Sequence, residues 1–241
     1  FRTDVKGCKI LILSNPHNPG GRVWTREELA EIAEICYDNQ VLVISDEIHA
    51  DLTLPGYTHP TFALVSEKAR RNSLVFMSPS KAFNMPGLAS SYCIIEDEDI
   101  RRRFQTYMEA SEFSEGHLFA YLGVAAAYSN GTEWLDQVLE YIQGNIDFTD
   151  EYLNANIPAI RMIRPQASYL IFLDCRELGL SQKELVSFFV DDAHLALNDG
   201  AMFGKEGEGF MRLNVACPRS VLKQALDQIK QAYGKKHDTI A

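Results

Sequence analysis

Three short apolar runs do most to limit what this chain can fold into. Ile10–Leu13, Val41–Ser45 and Leu74–Met77 hold almost no polar side chain before they end. Runs of this length without polar alternation read as strands buried on both faces of a parallel sheet. Each then gives way abruptly to polar groups: Ser14-Asn15-Pro16-His17-Asn18-Pro19-Gly20-Gly21 after the first, Asp46-Glu47-Ile48-His49 after the second, Ser78-Pro79-Ser80-Lys81 after the third. In open α/β sheets the carboxyl edge of the strands is where ligands bind. A lysine placed there can form a Schiff base with an aldehyde cofactor.

Helical patterns lie between the strands. Thr25 and Glu28 have capping-box spacing, followed by Leu29, Ile32, Ala33 and Cys36 at helical intervals. A short helix is expected near Phe62–Arg71 and a further strand at Tyr92–Ile95. Strands alternating with helices predict right-handed βαβ units. From Glu96 to about Ile157 the pattern is helical, with acidic residues at its start, a turn at Asn130-Gly131 and a new helix capped by Thr132 that continues past Gly144. The rest reads as a smaller α+β unit. Its strands are expected near Ile160–Ile163, Tyr169–Asp174, His194–Leu197 and Phe210–Val215, with one helix opened by Ser181 and Glu184 and a last one from Ser220. Gly234 to Ala241 read as frayed. The expected organisation is a large-domain portion over 1–145 and a small domain over 146–241.

A net charge of −10 argues against a general nucleic-acid or anionic-membrane surface. No apolar run approaches a bilayer's thickness. The five cysteines, Cys8, Cys36, Cys93, Cys175 and Cys217, form no C-x-x-C pair, which fits free thiols in a reducing, cytoplasmic setting better than a disulfide framework or a zinc site.

Single residues remain open to two readings. Lys81 alone is a surface lysine or a Schiff-base former. Asp46 is a loop carboxylate or a buried one that keeps a pyridine nitrogen protonated. Asn18 is a turn former or a donor to a phenolate oxygen, and Ser78 and Ser80 offer hydroxyls that suit a phosphate. His17, His59, Tyr169 and Asn198 carry weaker signals, and Asn198-Asp199-Gly200 reads as a turn.

Taken together, Asn18-Pro19-x-Gly21, Asp46, Ser78-x-Ser80-Lys81 and Phe210-Met211-Arg212-Leu213-Asn214 resemble, in order and spacing, the fold-type I pyridoxal-phosphate enzymes related to aspartate aminotransferase. The resemblance implies an α/β fold: part of a large domain with a mainly parallel sheet and flanking helices, plus a small C-terminal α+β domain. It implies that Lys81 holds the cofactor and moves protons at the substrate Cα. Asp46 pairs with the ring nitrogen, Asn18 bonds the phenolic oxygen, Ser78 and Ser80 help to hold the phosphate, and Arg212 forks onto the substrate carboxylate.

Two departures narrow the resemblance. Many aminotransferases of this fold carry a tyrosine where this chain has His49, and a phosphate-binding arginine where it has Ala89. Both features, with Gly21-Arg22-Val23-Trp24 and Asn214-Val-Ala-Cys-Pro-Arg219, look like the cystathionine β-lyase type of C–S lyase. That type implies β-elimination from a small sulfur amino acid, with transamination as the nearest alternative and a homodimer as the expected parent assembly. The family's members have a further half-domain ahead of the strand at Ile10. The chain is therefore expected to be a fragment, with weak cofactor binding of its own; a module that only associates with a partner is the non-enzyme alternative.

Overall fold

The computed structural model describes residues 1–113 and 116–238. They divide into two compact units, one of 1–17 with 22–137, the other of 18–21 with 138–241.

In the first unit, β1 (Ile10–Ser14), β2 (Leu42–Asp46) and β3 (Ser73–Met77) lie side by side and parallel, and β4 (Tyr92–Ile94) closes the order antiparallel to β3. The register pairs Ser14 with Asp46 and Asp46 with Phe76, so the three parallel strands end level. The expected strand at Tyr92–Ile95 is present one residue shorter, running against its one neighbour in the sheet, β3. α1 (Arg26–Asp38) joins β1 to β2 and starts with the expected capping box: Thr25 accepts from the Glu28 amide while Glu28 accepts from the Thr25 amide. Its Leu29, Ala33 and Cys36 pack with Val41, Val43, Val75 and Phe62 into one buried cluster. α2 (Glu67–Arg71) precedes β3, and α3 (Pro79–Ala82) follows it at once. α4 (Glu98–Ala110), capped by Asp97, and α5 (Leu118–Asn130) follow.

The helix α6 (Thr132–Asn156) runs unbroken through Gly144, as its apolar spacing predicts. In the second unit, β5 (Arg161–Ile163), β6 (Leu170–Asp174), β8 (Phe210–Asn214) and β7 (Asn198–Asp199) form an antiparallel sheet in the order β5-β6-β8-β7. α7 (Gln182–Ser187) opens on the expected capping box and passes into a π turn at Phe188–Asp192. α8 (Arg219–Asp238) ends the described residues. The core is built from Ile146, Leu153, Ile171, Leu173, Phe188, Phe189, Met211 and Leu226.

Three sequence expectations need correction. β1 is not buried on both faces: it is an end strand of its sheet, and Ile10 and Ile12 are exposed while Leu13 on the other face is buried. His194–Leu197 is not a strand; the bridge to β8 is made by Asn198 and Asp199, because Arg212 and Met211 are the residues they face. Residues 234–238 continue α8 as helix, and 239–241 lie outside the described residues. The thiols differ among themselves too. Cys36 and Cys175 are buried, Cys93 and Cys217 half-buried, and Cys8 exposed.

Gly200 closes the loop between β7 and β8. A Cβ there would stand 2.4 Å from the carbonyl oxygens of both Gly207 and Phe210. Backbone atoms cannot step aside as a side-chain tip can. Gly200→Ala is therefore expected to destabilise the second unit by about 2 kcal/mol. Gly87→Ala, where a Cβ meets nothing within 4 Å, should stay within about 0.5 kcal/mol. Native-state hydrogen exchange of the β8 amides reads the first, and equal protection in both variants would refute it.

Candidate functional site

The level carboxyl ends of β1, β2 and β3 set the geometry of the first unit. Asp46 closes β2, half-buried and so between its two sequence readings, and its Oδ1 accepts from the Ile48 amide at 3.3 Å. That short turn bends the chain and puts His49, buried, at the head of the turn 50–52. α3 packs against this same turn. Ser78 caps α3, accepting from the Ser80 amide at 3.1 Å, and Lys81 follows on the helix. Lys81 makes no hydrogen bond or ion pair among the described residues and is half-exposed. Two residues on, Phe83 meets Tyr128 edge-on and stacks on Trp134. Tyr128 donates to Asp51 Oδ2 at 2.9 Å, and burial holds its phenol well above the usual range. The lysine thus sits on a segment held by the Phe83 ring contacts, while its amine is unengaged among the described residues.

The serines are less open than the sequence suggests. The Ser78 hydroxyl donates to the Ser90 carbonyl at 2.6 Å, and Ser80 donates to the same oxygen at 3.4 Å. Ser78 therefore has its only proton committed, and Ser80 holds a long bond that exchanges more readily.

Sequence reasoning missed Glu47. Strand alternation turns Ser45 and Glu47 to the face opposite Asp46. The Glu47 side chain is fully buried and accepts three bonds, each of 2.8 Å, from Ser45 Oγ, the Phe62 amide and His59 Nε2. His59 is explained by this partner: it ties the loop after the turn to the end of β2. The signal available was the period of two along Ser45-Asp46-Glu47. His17, the other weak candidate here, is held below its ordinary pKa by burial and then by the Arg22 charge.

In the second unit Asn18 and Arg212 come together. Gly21 makes this possible. Its φ of +68° suits glycine, and a Cβ would meet Pro165 Cβ at 2.4 Å. Its carbonyl accepts from the Gln166 and Ala167 amides at 2.8 and 3.1 Å. Segment 18–21 is thereby seated, and Asn18 Oδ1 accepts from Arg212 Nη1 at 2.9 Å. Asn198 Oδ1 accepts from Arg212 Nη2 at 2.8 Å, and the Phe203 ring centre lies 4.8 Å from the guanidinium carbon. Asn198 is thus a short-strand residue and not part of a plain turn. Arg212 Nε is buried and has no hydrogen-bond partner among the described residues. Burial lowers the Arg212 pKa, and burial raises that of the nearby Tyr169, against the pull of the Arg212 charge. Chemically, this unit offers an oriented cationic fork, and the first offers an amine, unengaged among the described residues, just past the end of one parallel strand and a carboxylate at the end of another.

A model of the family "Aminotransferase class I and II" matches residues 2–229. Cystathionine beta-lyase PatB of Bacillus subtilis is 40% identical over 223 residues, and protein MalY of Escherichia coli 36% over 220. The matches take in 92% and 91% of this chain but 58% and 56% of those proteins. Cystalysin from Treponema denticola, whose crystal structure contains pyridoxal 5'-phosphate, superposes with a TM-score of 0.94 at 32% identity. It is covered over 60% of its chain, by 97% of this one. A PLP-bound C–S lyase from Staphylococcus hominis gives 0.86 at 34% identity. A family match that runs through both units, from ahead of β1 into α8, makes this chain a member of the class I and II aminotransferase family.

Proposed function

We propose that this chain carries the working residues of a pyridoxal-phosphate-dependent C–S lyase, acting by β-elimination on cystathionine or cysteine to give pyruvate, ammonia and a thiol. The observation that carries the proposal is the Lys81 amine, without a partner among the described residues and just past the strand edge that also holds Asp46. The donor set fits the cofactor: an amine for its aldehyde, a half-exposed carboxylate for its ring nitrogen, an amide for its phenolic oxygen. When bound, pyridoxal phosphate supplies an electron sink for the charge left on the substrate Cα.

The protein's own groups do the rest. Lys81 Nζ would hold the cofactor aldehyde, and its amine would be the group that takes the proton from the substrate Cα. The Asp46 carboxylate would face the ring nitrogen and keep it protonated. Asn18 is seated by Arg212 through its Oδ1, and as the donor end of an amide its Nδ2 is the atom that would serve the phenolic oxygen. Arg212 takes the substrate α-carboxylate. Of the two serines, Ser80 has the bond that can turn to the phosphate, while Ser78 stays the cap of α3. His49, at the head of the turn after Asp46, is assigned to the cofactor's surroundings.

The lyase reading is favoured by relatives named cystathionine β-lyase at 32–40% identity, against aspartate aminotransferases at 26 and 27%. We assign the parent protein a homodimer in the cytoplasm. Exposed Leu118, Phe119 and Leu122 on α5 support the first, and five free cysteines the second. No helix among the described residues is long and apolar enough to cross a membrane.

Supplied with pyridoxal phosphate and cystathionine, the protein should release pyruvate and thiol. A new amino acid formed only when a 2-oxo acid is added would make it a transaminase. Neither product, with no cofactor bound, would leave a module that only associates with a partner.

A further inference from the structure

Arg212 is a half-buried cation, and every group that fixes it among the described residues is neutral. Two amide oxygens and an aromatic face surround it. The ionisable group that acts on it is the Tyr169 phenol. Asp199, next along β7, is turned to other partners and accepts from Gln182 Nε2 at 2.5 Å and from the Ala201 amide at 2.8 Å. A carboxylate stands one position away from Arg212's partner and is kept off it.

We infer that Asn198 is a positioning residue for Arg212, and that its lack of charge is what reserves the guanidinium for a carboxylate ligand. This rests on the reading of Arg212 as the substrate-carboxylate group. Asn198 faces Arg212 directly across the β7–β8 register, so its amide oxygen fixes the plane of the fork from one side while Asn18 fixes it from the other. Arg212 has five N–H donors. Two are engaged by the asparagines, and Nε–H is buried and unengaged among the described residues. A cation removed from water without a counter-charge is costly and is relieved by an anion that arrives with two acceptor oxygens. An aspartate at position 198 would supply that anion from within. It would keep the hydrogen bond and remove the reason to bind ligand.

The test uses the whole chain with acetate as the probe, followed through the ¹⁵N signal of the Arg212 Nε–H, which is assigned by its loss in Arg212→Lys. Acetate is expected to shift this signal in the unaltered protein. Asn198→Ala, which loosens the fork, should weaken acetate by about threefold. Asn198→Asp should weaken it by about tenfold or more, because it keeps the bond and neutralises the charge. A purely structural asparagine predicts the reverse order, with the aspartate variant near the unaltered protein, and that order overturns the inference. A signal that acetate never moves overturns the reading of Arg212 itself, and the inference with it. Backbone amide spectra matching the unaltered protein establish that each variant is folded.

Discussion

Lys81→Ala should abolish covalent capture of pyridoxal phosphate. After borohydride reduction the unaltered chain is expected to carry its label on the peptide containing Lys81. The variant should lose that label by about two orders of magnitude or more, and the lyase should lose turnover by at least as much, since a positioned proton carrier and nucleophile disappears together. The contrast with Lys68 shows why one lysine is singled out. Lys68 Nζ lies 2.8 Å from Asp38 and 3.0 Å from Glu34, and its hydrogen bonds, to Asp38 and then to Glu34, raise its pKa. An amine held protonated by two carboxylates is a poor nucleophile, and Lys81 has no such partner among the described residues. Lys81→Arg should fail as fully as alanine, because a guanidinium stays charged and does not condense with an aldehyde. Peptide mass mapping decides the matter. Label spread evenly over several lysines, unchanged in Lys81→Ala, would falsify the assignment.

The second large effect is on stability. Glu47→Ala strips the acceptor from three buried donors at once: the Ser45 hydroxyl, the Phe62 amide and His59 Nε2. Each buried group left unpaired costs about 1–3 kcal/mol, so the first unit should lose about 3 kcal/mol or more. Glu47→Gln keeps the shape but turns an amide N–H towards donors, and an intermediate loss of about 1–2 kcal/mol is expected. Trp24 and Trp134 are the two tryptophans of the chain, and both belong to the first unit. Urea unfolding followed by tryptophan fluorescence therefore reads this unit directly. Midpoints unchanged in Glu47→Ala would show that the three donors find other acceptors.

The large features of the fold are legible in the sequence where local rules and burial agree, and β1 is a strand as expected although its Ile10 and Ile12 are exposed. Thr25 with Glu28 and Ser181 with Glu184 are capping boxes by spacing, and both form. The apolar runs ending at Ser14, Asp46 and Met77 are parallel strands whose ends lie level. What the sequence could not carry is pairing between distant residues. Asn198 reads as a turn because asparagine, aspartate and glycine in succession favour one; β8 recruits it into a strand. Glu47 looks like any loop carboxylate until His59 and the Phe62 amide fold over it. The phosphate reading of Ser78 rests on its hydroxyl and on the motif resemblance, and nothing nearby in sequence announces that the Ser90 carbonyl takes its proton.

The seating of residues 18–21 in the second unit bears on how the chain is made. Asn18 and Arg212 are 194 positions apart. During synthesis the asparagine emerges long before its partner exists, and the flanking segments can settle into the first unit while 18–21 wait. Contacts of such separation form late and slow the whole process, because a long stretch of chain must be ordered before they reward it. A polypeptide of 138–241 expressed alone should accordingly reach its helices and sheet quickly yet leave Arg212 half-clamped. Supplying 18–21 on a separate peptide would then act as the last step of assembly.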